Sequence, residues 1–393
     1  MMKQNFSTNR EKSNNKSRDV LSKMKKVIAF FCEMYYNQLA TSVMRKALRS
    51  NIKLEEKHMK KKLALALSLV LVMGLALTSC GKKDDAPAGS GEALGGKEGG
   101  TSLNFTTGGD QGTYYGFGGV LAGKVGESTS TTVTAITSGG SQANIEALES
   151  GDAQIGFVQT DVGAYAYEGT RLFEGKKFDG FSTVANLYME QVQIVTLDPE
   201  IKTVADLAGK VVSVGAAGSG VYFNAADVLG AYDLDIEKDI TPTYQSFGDS
   251  TEALQDGKID ACFLTAGAPT TAVTSLATTK PVYLVSLDDE HIEGLLASSP
   301  YYSKNTIAKD VYNTPEDVTT VAVGAVVVAR DDVSNADVYN FLYGVYENLE
   351  DITAAHAKGA ELSLEFGASY GAVPYHPGAV EYFAEKDITV TGK

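Results

Sequence analysis

The chain has 393 residues, a formal net charge of −15 and no tryptophan. The charge is uneven, because the first 62 residues carry 16 Lys and Arg against 5 Asp and Glu, whereas the remainder carries 18 against 44. The acidic body offers no basic surface to neutralise phosphates, which argues against nucleic acid as a partner, and its length allows two or three domains.

Residues 59–79 have the pattern of a bacterial lipoprotein signal peptide. Lysines at 60–62 precede 17 uncharged, mostly apolar residues, and the run closes with LTSC at Cys80. A basic segment, an apolar run and small residues before a cleavage point are typical of exported proteins. The alternative is a membrane-spanning anchor, but this run is at the short limit for a span.

The segments on either side of the signal show no domain pattern. Residues 1–58 precede a signal that belongs at an N-terminus, so we interpret them as an upstream leader that is not translated, with a cytoplasmic extension as the alternative. Residues 80–102 comprise the cysteine and a stretch rich in Gly, Ala and charge without apolar periodicity. Such a composition predicts a flexible tether.

We therefore expect the mature protein to begin at a lipidated Cys80 on the extracytoplasmic face of the cell membrane. Mass spectrometry of the native N-terminal peptide checks this, and Cys80→Ala should release the protein or stall its processing. An unmodified peptide from residues 40–58 would contradict both the start and the anchor.

The body alternates strands and helices, which predicts α/β lobes with mainly parallel sheets. Strands are predicted at 103–106, 132–136, 154–158, 192–197, 211–214, 261–264, 282–285 and 321–329. Helices are predicted at 113–124, 141–149, 204–207, 221–231, 250–255, 335–349 and 378–386.

Two glycine-rich turns each join a predicted strand to a predicted helix. The first holds Gly108, Gly109 and Gly112, and the second holds Gly215, Gly218 and Gly220. Glycine permits a sharp turn that leaves backbone amides bare, and a helix N-terminus carries a partial positive charge. Each turn is therefore a place to hold an anion such as a carboxylate, although the same residues could merely cap helices.

A second repeat indicates two lobes of one design. Residues 145–158 match 251–264, each as a helix followed by a glycine and a buried strand. The offset of the two copies nearly equals that of the glycine turns. Lobe one is expected at 103–195 plus 325–393 and lobe two at 196–324, with the strands at 192–197 and 321–329 crossing as an antiparallel hinge and the last helices packing on lobe one.

The expected ligand site lies where both turns meet the ends of the neighbouring strands. Asp161 either receives a ligand ammonium or caps the helix that begins near Val162. The predicted ligand-binding residues are Thr107, Gly109, Gly112, Thr113, Tyr114, Gln159, Thr160, Asp161, Gly218, Ser219, Gly220, Val221, Tyr222, Thr265 and Gly267.

The sequence contains no recognisable catalytic set. HExxH, CxxC and GxSxG are missing, and neither glycine turn is a GxGxxG or a P-loop. The isolated Cys262 lies in an apolar run and is expected in the core, and His376 between two prolines is expected to make a structural hydrogen bond. We expect a monomeric binding protein, not an enzyme, with no cofactor and no metal.

The motifs TGGDQGTYY, SGDAQIGFVQTDVGAY, TVADLAGKVVSVGAAGSGV, ALQDGKIDACF and VPYHPGAVEYF occur in this order after the signal. In this the chain resembles the TAXI family, the extracytoplasmic solute receptors of tripartite ATP-independent periplasmic (TRAP) transporters, over about residues 101–390. Asp110 and Gln111 depart from the small residues more usual in the first turn.

The resemblance implies a two-lobed periplasmic-binding-protein fold of type II that closes like a flytrap. It also implies delivery of a small carboxylate, glutamate-like or a dicarboxylate, to an integral-membrane TRAP permease. One alternative is the binding lipoprotein of an ABC importer for a thiamine-precursor-like or sulfonate-like ligand. The other is an enzyme on a related scaffold, which the missing catalytic residues disfavour.

Overall fold

The computed structural model describes residues 94–393. The predicted leader, the signal peptide, Cys80 and the first part of the tether therefore lie outside the described residues. Within residues 94–393, no helix combines the length and the apolar character needed to cross a membrane.

Ten strands form one continuous sheet in the described part of the chain. They are β1 Ser102–Thr106, β2 Thr132–Ile136, β3 Ile155–Gln159, β4 Phe181–Thr196, β5 Val211–Ser213, β6 Thr241–Thr243, β7 Ala261–Ala266, β8 Tyr283–Leu284, β9 Ser303–Ile307 and β10 Val318–Arg330.

The α-helices cover both faces of this sheet. They are α1 Thr113–Ser128, α2 Ser141–Ser150, α3 Thr160–Glu168, α4 Val221–Ala231, α5 Phe247–Gln255, α6 Thr271–Ala277, α7 Asp289–Ser298, α8 Asn335–Tyr346, α9 Leu349–Ala355, α10 Leu364–Gly367 and α11 Pro377–Ala384.

The sheet consists of two halves that share two long strands. The order is β2-β1-β3-β10-β4-β7-β5-β6, with parallel pairing among β1 to β3 and among β5 to β7. Residues 181–191 of β4 pair with β10, whereas residues 191–196 pair with β7. The antiparallel partner of β10 is therefore the part of β4 that precedes the predicted strand at 192–197, and the expected pairing of 192–197 with 321–329 is wrong. β4 and β10 therefore cross between two α/β lobes as antiparallel partners. This confirms the predicted fold class, a two-lobed α/β binding-protein fold with a hinge of crossing strands.

Each lobe buries its half of the sheet under helices on both faces. In lobe one, α1, α8 and α11 cover one face and α2 and α3 the other, so the last helices pack there as predicted. In lobe two, α4 and α7 cover one face and α5 and α6 the other. Strands β3 and β7 are buried along their whole length, and their sequences IGFVQ and ACFLTA are accordingly mostly apolar. Cys262 is buried in β7, as expected.

The two sequence repeats correspond to equivalent units, α2 with β3 and α5 with β7. Each helix ends at a glycine in the left-handed conformation, with φ of 85° at Gly151 and 67° at Gly257. His376 makes the expected structural hydrogen bond, since its Nδ1 accepts from the Gly378 amide at the start of α11.

The segment just before β1 differs from the expected tether. The Gly95 amide donates to Ser128, the Lys97 amide to Asn340 Oδ1 at 2.6 Å, and the Thr101 amide to Asp337 Oδ1 at 2.7 Å. Backbone hydrogen bonds to distant side chains order these residues against lobe one, although their composition alone predicts a flexible chain.

Candidate functional site

A cavity of about 150 Å³ lies between the two lobes. Its wall is built from loops that follow strands and lead into helices, together with strand residues near the hinge. The lining residues are Gly108, Gly109, Gly112, Thr113, Tyr114, Ser138, Gly139, Gly140, Ser141, Gln159, Glu190, Ala216, Ser219, Gly220, Val221, Ser246, Phe247, Thr265 and Ala266. A cavity of this size elsewhere holds a guest as small as benzene, so the space suits a small molecule.

Three helices direct N-termini without side-chain caps towards this cavity. Gly112, Gly140 and Gly220 are the N-cap residues of α1, α2 and α4, and none of the three helices has a side-chain cap hydrogen bond. The N–H groups of a first helical turn have no partner within the helix, and they carry the positive end of its dipole. The N-termini therefore offer N–H groups to an anionic group, apart from the Ala143 amide of α2, which donates to the Gly218 carbonyl.

Three polar side-chain atoms on the wall are buried without a hydrogen-bond partner among the described residues. They are Gln159 Oε1, Ser219 Oγ and Thr265 Oγ1, on side chains that are at most 7% exposed. A buried polar atom without a partner costs about 1–3 kcal/mol, so such atoms are rare unless a ligand or water satisfies them. Their position on one cavity wall identifies them as candidate ligand contacts.

One carboxyl group also faces the cavity. Glu190 lies on β4 opposite Val323 of β10, at the hinge, and its Oε2 accepts a 2.6 Å hydrogen bond from the Tyr114 hydroxyl. Burial raises the pKa of the Glu190 carboxyl well above its ordinary range. The cavity thus combines hydrogen-bond donors at the helix N-termini with a single acidic side chain.

A buried polar network joins the lobes beside the cavity. Asn224 of α4 accepts a hydrogen bond from Gln159 Nε2 at 3.1 Å and donates to Asp161 Oδ2 at 3.0 Å. Burial raises the pKa of Asp161 to about 7. Because Gln159 and Asp161 belong to lobe one, Asn224 makes hydrogen bonds that exist only while the lobes are together.

Direct contacts close the lobes at three further places. The Thr113 hydroxyl donates to the Gly267 carbonyl at 2.9 Å, and the Ala143 amide donates to the Gly218 carbonyl at 3.0 Å. At the surface, Arg171 forms an ion pair with Asp227. These bonds show that the described conformation is the closed one.

The structure brings nine predicted site residues together on the cavity wall and places six elsewhere. The nine are Gly109, Gly112, Thr113, Tyr114, Gln159, Ser219, Gly220, Val221 and Thr265. Gly218, Gly267 and Asp161 take part in the interlobe bonds just described. The Thr107 hydroxyl donates to the Ile136 carbonyl, the Thr160 hydroxyl accepts from the Gly324 amide, and the Tyr222 ring packs against Tyr244.

A third glycine turn and Glu190 at the hinge line the cavity but are not among the residues predicted from sequence. Ser138, Gly139, Gly140 and Ser141 follow β2 in the same way that the recognised turns follow β1 and β5. The pattern SGGS was a usable signal, as was a lone glutamate within an otherwise uncharged run. The other lining residues outside the predicted list are Ala216, Ser246, Phe247 and Ala266, together with Gly108, which lies in the first recognised turn.

A small cavity between two α/β lobes on crossing strands is the arrangement of a solute-binding protein. The chain belongs to the NMT1-like family, whose model matches residues 105–386.

Among solved structures, the chain is similar to the periplasmic aliphatic sulphonate binding protein SsuA from Escherichia coli, with 17% identity, a TM-score of 0.38, and coverage of 73% of this chain and 90% of that one. It is similar to SsuA from Xanthomonas axonopodis pv. citri bound to MOPS, with 14% identity, a TM-score of 0.41 and coverage of 72% and 90%. It is also similar to the GluR0 ligand-binding core from Nostoc punctiforme in complex with L-glutamate, with 14% identity, a TM-score of 0.39 and coverage of 66% and 99%.

Proposed function

We propose that this protein is an extracytoplasmic solute-binding lipoprotein that captures a small carboxylate between its lobes and delivers it to a TRAP-type membrane permease. The observation that carries the proposal is the convergence of three helix N-termini without side-chain caps on one cavity between the lobes. Backbone N–H groups and helix dipoles bind carboxylates without a paired arginine.

The hydroxyls of Ser219 and Thr265, which have no hydrogen-bond partner among the described residues, also support the binding of a carboxylate. Each can donate a hydrogen bond to a carboxylate oxygen, and each comes from a segment at the carboxyl end of a lobe-two strand. The net charge of the body does not oppose anion binding, because the local field at the helix ends decides which group enters the cavity.

In this proposal, closure of the two lobes links ligand binding to transport. A ligand that contacts both lobes binds the closed form better, so it shifts the population towards it. A permease that recognises the closed form then receives loaded protein. The TRAP assignment rests on the sequence motifs given above, and the lipid anchor rests on the signal that ends at Cys80.

The test is a thermal-shift screen of the purified protein against amino acids, monocarboxylates and dicarboxylates, followed by calorimetry of each compound that stabilises it. Ligand at about 100 times its dissociation constant should stabilise the folded state by roughly 2.7 kcal/mol. Stabilisation by sugars or uncharged amines, with every carboxylate inactive, would contradict the proposal.

The TRAP assignment needs its own experiment. Uptake of the bound solute by cells should stop when the ion gradient is dissipated at constant ATP. Uptake that follows ATP instead would assign the protein to an ABC importer.

A further inference from the structure

A second cavity, of about 260 Å³, lies between the lobes and shares no lining residue with the cavity described above. Pro269, Thr271, Thr274 and Ser275 line it from lobe two, and residues 356–358 line it from lobe one. We call this cavity the interlobe notch. The capture of a solute at the helix N-termini gives the notch no role.

The charged group of the interlobe notch is the ammonium of Lys358. Lys358 is 2% exposed, and its side chain lies against Gly267 of lobe two, where an added Cβ atom would approach Lys358 Cε to 2.3 Å. The stem of Lys358 therefore occupies the space that a side chain at position 267 would take. The ammonium pairs with Glu361, whose side chain is 39% exposed. An ammonium has three hydrogen-bond donors, so this pair leaves donors for a further anionic partner.

His356 adds a neutral hydrogen-bond donor to the notch. Its Nδ1 accepts a 3.2 Å hydrogen bond from the Lys358 amide, so the proton of the neutral ring lies on Nε2. Burial, and after it the positive charge of Lys358, lower the pKa of His356 below its ordinary value of 6.5. The ring is therefore neutral at pH 7, and its Nε2–H group remains a donor.

The wall from lobe two contributes hydroxyl groups. Thr271, Thr274 and Ser275 are all exposed, so their hydroxyls are free to turn towards a guest. No residue that lines the notch in the described part of the chain carries a carboxyl group, although residues 63–393 carry 44 Asp and Glu against 18 Lys and Arg. The notch thus combines one cation with several neutral donors in a strongly acidic body, and these groups suit an oxyanion.

We propose that the interlobe notch binds a small inorganic oxyanion, such as sulfate or phosphate, between Lys358 and His356 of lobe one and the hydroxyls of lobe two. This site is separate from the proposed carboxylate site and does not depend on it. Closure places Lys358 against lobe two and removes water from its ammonium, and a second anionic partner offsets that cost. Because the oxyanion contacts both lobes, it binds the closed form better and shifts the population towards it.

The test is calorimetry of the purified protein with sodium sulfate and sodium phosphate at pH 7, with sodium chloride at equal ionic strength as the reference. We expect saturable binding of an oxyanion. Lys358→Met should weaken it about 100-fold and Thr274→Val about 10-fold, because each removes a hydrogen bond to a charged group. The matched control is Thr278→Val, an exposed threonine at the other end of α6 and outside the notch, which should keep the affinity of the unaltered protein. Small-angle X-ray scattering should show a smaller radius of gyration at saturating sulfate.

Four outcomes overturn the oxyanion site. Unchanged affinity in Lys358→Met or in Thr274→Val would assign the bound ion to the helix N-termini of the solute cavity instead. Equal losses in Thr274→Val and Thr278→Val, an unchanged radius of gyration, or no saturable binding of either anion would each contradict the site as well. Because Thr274 is exposed, Thr274→Val decides the question if Lys358→Met fails to fold. The carboxylate screen uses other ligands and another cavity, so each proposal can fail without the other.

Discussion

Gly220→Val should weaken ligand binding at least 100-fold and leave both lobes folded. A Cβ atom at Gly220 would overlap Gln159 Oε1 on the opposite lobe and would approach Ser141 Oγ to 3.2 Å. Gln159 cannot simply move aside, because it is buried and its amide donates to Asn224. The side chain would therefore hold the lobes apart, and the ligand would lose the enclosure that strengthens its charge-assisted bonds.

The backbone itself tolerates the change. Gly220 has φ −70° and ψ −21°, an ordinary helical conformation that valine adopts. The matched control is Gly230→Val in the same helix, where a Cβ would have no neighbour within 4 Å. This control should bind ligand with unchanged affinity.

Calorimetry gives the affinity, and small-angle X-ray scattering reports the closure. The radius of gyration should fall when ligand is added to the unaltered protein and to Gly230→Val, but not when it is added to Gly220→Val. Wild-type affinity in Gly220→Val would remove this turn from the site. Identical scattering curves with and without saturating ligand in the unaltered protein would mean a preformed pocket, and closure would fail as a mechanism.

Asn224→Ala should weaken ligand binding by about 10–100-fold through the closed state. Asn224 is fully buried and joins Gln159 and Asp161 of lobe one to lobe two. The truncation leaves these two groups unsatisfied only when the lobes meet, and each buried unpaired group costs about 1–3 kcal/mol. Calorimetry measures the loss. The control is Ser250→Ala, which breaks a buried 2.8 Å bond to Ser213 within lobe two.

Asp161 adds a pH signature to this variant. Its pKa is raised from 3.8 to about 7 by burial, so the folded protein binds more protons than the unfolded chain between these values. The contribution of the Asp161 carboxyl to the free energy of unfolding is therefore largest at low pH, and it is lost as the pH rises through about 7. The Asn224 hydrogen bond lowers the pKa of Asp161, so Asn224→Ala should extend the fall to higher pH. Thermal unfolding from pH 5 to 9 measures this pH dependence.

The Ser250→Ala control should lower the free energy of unfolding without changing the ligand affinity or the pH profile. Equal losses of ligand affinity in Asn224→Ala and Ser250→Ala would contradict an interlobe role for Asn224.

Local pattern was enough to predict the architecture. The helix Val221–Ala231 has the predicted bounds, as does the strand Thr132–Ile136, and the glycine turns lie where the sequence places them. Apolar periodicity, β-branched runs and glycine are properties of neighbouring residues, so they can be read without knowing the fold. The matched repeats then predicted two lobes, since similar local units fold alike.

The hinge and its polar residues were decided by tertiary structure. β4 runs over Phe181–Thr196, but only its last part was predicted, because Ser182, Asn186 and Glu190 interrupt the apolar pattern. These side chains are buried by strands that arrive from distant parts of the chain. The bond between Gln159 and Asn224 spans 65 residues in sequence. Whether a polar group is buried, and which partner it contacts, depends on packing across the lobes. The sequence alone therefore determined the glycine turns, whereas the tertiary structure determined which side chains face the cavity.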